Sequence, residues 1–167
     1  MSKVEFFIAD PYNLKHIDLY KKFENDNNLL NNESSYLETI RNTYDKELYN
    51  KQIKKSNEIV ILGFTTLENK IEDTCMIKIE KDRRIAYVTY SSQSNIKRRK
   101  IISLSISYIF NTLEIEEIFA SAEKEDALLI NELEKNSFES LGEFENNIKF
   151  VKEKSYELTN ERKSPCK

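Results

Sequence analysis

The sequence predicts an α/β domain of the mixed α+β kind, in which one sheet with antiparallel and parallel strands is covered by helices. Three observations predict it. Extended and helical apolar patterns follow one another as strand, two helices, three strands, long helix, strand, helix, strand. The three middle strands, "EIVILGFTTL", "TCMIKIEK" and "RIAYVTYS", are joined by the short polar breaks "ENKIED" and "DRR", which favours antiparallel neighbours. The long helix then leads into the short strand "EIFASA", and a strand-helix-strand unit of that length pairs its strands in parallel through a right-handed crossover.

Each element has its own pattern. "KVEFFIA" alternates as a strand, and Asp10 with Pro11 reads as a helix N-cap followed by proline at the first helical position. Leu14, Ile17, Tyr20 and Phe23 recur at helical spacing up to the break "ENDNN". A second helix is expected from Ser34, with Tyr36, Leu37, Ile40, Tyr44, Leu48 and Ile53 on one stripe. The long helix starts at about Asn95 and covers a broad face with Ile101, Leu104 and Tyr108 beside Ile102, Ile106, Ile109 and Leu113. "DALLINELEKNSF" reads as a helix capped by Asp126, and "NNIKFVKEKSYEL" as the final strand. Gly63 and Gly142 mark a strand bulge and a turn.

With 167 residues the chain fits one domain, expected over 1–158, and the tail 159–167 has nothing to bury. A formal charge of -3 with 33% charged residues gives a mixed surface without a global field toward nucleic acid. No apolar run approaches the ~18 residues of a membrane span, and the apolar start is broken too early for a signal peptide. Cys75 and Cys166 are too few for a disulfide framework, which fits a reducing cytoplasm, with Cys75 a small core hydrophobe. The wealth of Ile, Lys, Asn and Tyr fits A/T-rich coding and a bacterial source. His16, the only histidine, has no acid or nucleophile near it in sequence and reads as a helix-surface residue.

The stretch "QSNIKRRK", Gln93 to Lys100, places four cations in a row at the start of the long helix. Cations there oppose the helix dipole by about 0.3 to 1 kcal/mol each, a conflict that a bound polyanion would relieve. Read blandly, the run is a solvated helix end; read as a nucleic-acid patch, it lacks a recognition module and sits in acidic sequence.

Two stretches carry a family resemblance. "YIFNTLEIEEIFASAEKED" resembles the end of the long helix and the fifth strand of the GNAT (GCN5-related N-acetyltransferase) superfamily, in particular its ribosomal-protein N-terminal acetyltransferase branch. "ELEKNSFESLGE" is similar to the family's "LEKLGF...G" pattern, with Glu134, Lys135, Phe138 and Gly142 in register. The resemblance implies an acyl-CoA N-acyltransferase-like fold and an acetyl-CoA-dependent N-acetyltransferase that acts on a small amine or a protein N-terminus by direct attack.

In that register Gln93, Ser94, Asn95, Ile96, Lys97 and Arg98 fall on the family's pyrophosphate loop, where only Gln93 keeps the pattern and Ile96 replaces a central glycine. The loop is degenerate, so the alternative is an inactive member of the fold kept as a binding or regulatory module. Backbone groups of Val88, Thr89 and Tyr90 would hold the cofactor. The strand from Ile85 to Tyr90 lacks the carboxylate many members use as base, Leu133 stands where a tyrosine acid is frequent, and Asp126 and Leu129 replace an Asn and a Ser near the cofactor. Tyr90 is left as a candidate acid and Glu123 or Asp126 as a base through water, each with a plain alternative as packed tyrosine or helix cap. The resemblance implies no metal. Acceptor recognition falls to the first helices, with Glu33, Tyr36 and Tyr44, in a monomer or a homodimer.

Overall fold

The computed structural model describes residues 3–26, 36–91 and 100–155. The opening of the basic run, from Gln93 to Arg99, and the tail lie outside the described residues, as do Glu33 and Cys166.

The described elements are β1 (Glu5–Ile8), α1 (Leu14–Asp26), α2 (Tyr36–Thr43), α3 (Lys46–Lys55), β2 (Glu58–Leu67), β3 (Lys70–Glu80), β4 (Ile85–Tyr90), α4 (Lys100–Thr112), β5 (Glu117–Glu123), α5 (Ala127–Lys135), β6 (Glu139–Phe144) and β7 (Asn147–Glu153). They form a seven-stranded sheet in the order β1-β2-β3-β4-β5-β7-β6. Only β4 and β5 pair in parallel, across α4, as the crossover rule requires.

Strand alternation divides the core in two. On one face Cys75, Ile77 and Ile79 of β3, Ala86, Val88 and Tyr90 of β4 and Ile118, Ala120 and Ala122 of β5 pack under α4 and α5. On the other, Leu62 and Phe64 of β2 meet Ile17 and Tyr20 of α1 and Leu37 of α2. Register places Lys78 beside Val60, Tyr87 beside Lys78, Phe119 beside Tyr87 and Val151 beside Phe119, so this second face continues across β4, β5 and β7.

Five details depart from the sequence reading. Helix α1 begins at Leu14, capped by Asn13, whose Oδ1 accepts from the Lys15 and His16 N–H groups at 2.9 and 3.2 Å. Asp10 instead forms the preceding turn, its Oδ1 accepting from Tyr12 N–H at 2.9 Å. The single helix expected from Ser34 is two, α2 and α3, with Asp45 extended at φ -71° and ψ 144° as the N-cap of α3. Tyr12 explains the break: its hydroxyl donates to the Tyr44 carbonyl at 2.8 Å, occupying the group that Leu48 N–H would seek in a continuous helix.

The final strand is a hairpin, β6 and β7, and β6 is exposed along its whole length. Its register shifts between Ser140 and Gly142, so Gly142, at φ +112°, belongs to a bulge rather than a turn. The β2–β3 bulge lies between Thr65 and Thr66, and Gly63 is regular strand, opposite Ile8 and Cys75. Its hydrogen is needed for space, because a Cβ there would meet the Phe6 ring at 2.8 Å and the Cys75 sulfur at 3.0 Å.

Candidate active site

The β4–β5 ladder is short. It begins at Ile85↔Glu117 and ends at Val88↔Ala120, although β4 runs on to Tyr90 and β5 to Glu123. Beyond that point each strand keeps its outer partner: Thr89 and Tyr90 pair with Met76 and Cys75 of β3, and Ser121 to Glu123 pair with Lys149 to Asn147 of β7. The two inner edges therefore separate, leaving backbone groups on either side of a wedge. A cavity of about 170 Å³ lies at its apex, lined by Tyr87, Val88 and Thr89 from β4, Phe119, Ala120 and Ser121 from β5, and Lys149 and Phe150 from β7.

Side chains differ across the two faces of the wedge. Tyr87 and Phe119 stack on the second face, with ring centroids 5.5 Å apart and planes inclined by 23°. Tyr90 turns the other way, 4% exposed beneath α4, with its hydroxyl 2.8 Å from the Ser105 oxygen. Glu123 is exposed at the wedge mouth, and Asp126 caps α5, its Oδ1 accepting from Leu129 N–H at 3.2 Å. Leu129 and Leu133 are core residues.

Next to the wedge on the second face lies a polar cluster that the sequence reading did not single out. Ser91 N–H donates to the Thr74 carbonyl at 3.1 Å, and its buried Oγ has no partner among the described residues. The Tyr20 hydroxyl hydrogen-bonds to the Thr74 side chain, and burial pushes its pKa up strongly, with Cys75 and Glu24 adding in the same direction. Glu24 follows at the end of α1, 8% exposed, with Oε2 accepting from Tyr36 N–H at 3.4 Å and Oε1 without a partner among the described residues. A signal for it existed: Glu24 sits seven residues after Ile17, on the same apolar stripe.

The other singled-out residues have structural surroundings. His16 is half-buried, its Nδ1 accepts from Asp10 N–H at 3.0 Å, and its ring meets Phe64 edge-on at 5.1 Å. Burial lowers its pKa below 6.5, partly opposed by Asp10. The Cys75 thiol, 2% exposed, is pushed by burial up to about 12. Among the described residues no group of three or more His, Cys, Asp or Glu side chains could hold a metal ion. No described helix is long and apolar enough to cross a membrane.

No protein-family model and no curated protein sequence matches the chain. Solved structures do. The N-acetyltransferase PseH of Campylobacter jejuni in complex with acetyl coenzyme A is 13% identical, covers 92% of this chain and 100% of its own, and superposes with a TM-score of 0.60. The spermidine/spermine N-acetyltransferase SpeG of Vibrio cholerae, in mutant form, is 18% identical with coverages of 95% and 99% and a TM-score of 0.60. The PaiA N-acetyltransferase of Thermoplasma acidophilum, in complex with coenzyme A, is 16% identical, with 91% and 99% covered and a TM-score of 0.54.

The protein thus has the acyl-CoA N-acyltransferase-like fold shared by these GNAT enzymes. The correspondence extends over nearly the full length of both chains.

Proposed function

We propose that this protein is an acetyl-CoA-dependent N-acetyltransferase. The observation that carries the reading is the wedge: β4 and β5 part after Val88↔Ala120 while both continue, so a slender chain bearing amides can lie between them as an added strand. The pantetheine arm of acetyl-CoA has that form. Val88, Thr89 and Tyr90 would supply the backbone groups along β4, and the aromatic pair of Tyr87 and Phe119 would floor the thioester end.

The diphosphate would fall to Gln93, Ser94, Asn95, Ile96, Lys97 and Arg98, with the cations standing in for the close backbone approach that glycines permit. Asp126, at the start of α5, would face the cofactor from the β5 side. The acceptor amine attacks the thioester carbonyl directly, so the protein's tasks are alignment, charge stabilisation and proton transfer. The acceptor is a small amine or, following the branch resemblance, a protein N-terminus.

Thermal unfolding with acetyl-CoA tests this. At a concentration about 100 times the dissociation constant, a ligand of the native state adds about 2.7 kcal/mol, which for a chain of this length raises Tm by about 5 to 10 °C. The Lys97→Ala, Arg98→Ala double variant should shrink that shift. No stabilisation at millimolar acetyl-CoA would overturn the enzyme and favour the inactive binding module to which Ile96 in the loop points.

A further inference from the structure

If the chain transfers acetyl groups, it must also take a proton from its acceptor, because an ammonium has no lone pair with which to attack. Strand β4 offers no carboxylate for that task. Glu123 is exposed at the wedge mouth, whereas Glu24, on α1 over the second face, is buried. Thr74 shares that face with Phe64, and Ser91, bonded to Thr74, follows Thr89 at the wedge mouth. Tyr20 hydrogen-bonds to Thr74 and feels the charge of Glu24, one helical turn further along α1, and β3 and β4 lie one strand spacing of about 4.8 Å apart.

The state of this carboxylate needs explaining. It is more than nine-tenths buried beside an apolar cluster, and among the described residues only one of its oxygens is used, in a long bond that docks α1 to the first residue of α2. The groups shown to interact with it are Tyr20 on its own helix and Tyr36 on α2, which carry no positive charge. Lys21 is engaged by Glu38 at 3.4 Å, and among the described residues no cation pairs with Glu24. A buried carboxylate without a counter-charge is costly, and a cationic ligand relieves that cost.

We infer that Glu24 receives the acceptor's ammonium group and takes its proton, with the Tyr20, Thr74 and Ser91 hydroxyls as polar lining between it and the wedge. The step balances as follows. Glu24 takes one proton from R–NH3+, and the freed nitrogen lone pair forms the C–N bond with the thioester carbonyl carbon. The C–S bond breaks with its electron pair on sulfur, and the thiolate takes a second proton from nitrogen. Glu24 then releases its proton to water, leaving the amide and CoA–SH.

The experiment uses two small nucleophiles and reads CoA thiol release. Ethylamine is a cation at neutral pH, whereas hydroxylamine is already largely unprotonated and needs no base. The wild type is expected to acetylate both. Glu24→Gln should lose the ethylamine rate by about 100-fold or more, with most of the loss in kcat, and keep the hydroxylamine rate. Its rate with ethylamine should recover at alkaline pH, where solution supplies the free amine.

Glu24→Asp, which keeps the carboxylate, should retain part of the ethylamine rate. The acetyl-CoA shift in Tm, retained in both variants, shows that they fold and bind. Failure of that shift in the wild type defeats the acetyltransferase reading itself. A normal shift together with equal loss for both nucleophiles, or with no loss in the Gln variant, overturns the role of Glu24 alone.

Discussion

Gly63→Ala is the sharpest test of how the sheet packs on α4. The methyl group would lie 2.8 and 2.9 Å from two atoms of the Phe6 ring and 3.0 Å from the Cys75 sulfur. Both neighbours are confined: Phe6 packs on the α4-side core, with its ring 5.9 Å from that of Tyr108, and Cys75 is 2% exposed. Backbone φ at this position is not in the left-handed region, so the expected cost is steric alone. Overpacking of this kind costs about 1 to 3 kcal/mol, and in a chain of this length each kcal/mol lowers Tm by about 2 to 4 °C. Calorimetry or circular dichroism should therefore find Gly63→Ala melting lower by about 2 to 12 °C.

Phe6→Leu removes the two offending ring atoms. Although it is destabilising by itself, in its background Gly63→Ala should cost less than half as much, giving a coupling of about 1 kcal/mol in a double-mutant cycle. Additive effects, or an unchanged Tm for the single alanine variant, would refute the contact geometry.

Two further outcomes concern other regions. Ser137 sits at φ +68°, in the motif position where the resembling family has glycine, so Ser137→Gly should raise stability by about 0.5 to 1 kcal/mol in urea unfolding. His16 has a folded pKa below its ordinary 6.5, so between those two values the unfolded chain holds more protons and stability rises with pH. The His16 contribution is fully present above about 6.5 and is lost as pH falls through that window. Urea midpoints measured from pH 7.5 down to 5 should fall more steeply for the wild type than for His16→Gln, and parallel curves would contradict the Asp10 N–H to Nδ1 bond.

What the sequence made legible follows the reach of each signal. Alternation and helical spacing are local, and they located β1 to β5, α1, α4 and α5 because each buries one continuous face. The break between α2 and α3 was hidden, since Tyr44 and Leu48 continue the apolar stripe while the hydroxyl that interrupts the helix comes from Tyr12, 32 residues earlier. Strand β6 was hidden for the opposite reason: no residue of "ESLGEF" is buried, so there was no alternation to read.

The candidate site divides the same way. Tyr90 and Asp126 could be named from register, but which way each side chain points depends on Ser105 of α4 and Leu129 of α5. The wedge itself is a property of pairing between distant strands, which no window of sequence contains. Glu24 alone had a local sign, a carboxylate on an apolar stripe.

The brevity of the β4–β5 ladder has a mechanical consequence. Four residue pairs, Ile85↔Glu117 to Val88↔Ala120, are all the strand pairing that joins the block β1–β4 to the block β5–β7. Amides along this seam should exchange with deuterium sooner than those in the β2–β3 ladder, where pairing runs from Glu58 to Leu67. A guest strand in the wedge would lengthen the seam at its open end. Occupancy of the wedge would then govern how far the two blocks move as one body, and tight binding would be read out as cooperativity of unfolding as well as a higher midpoint.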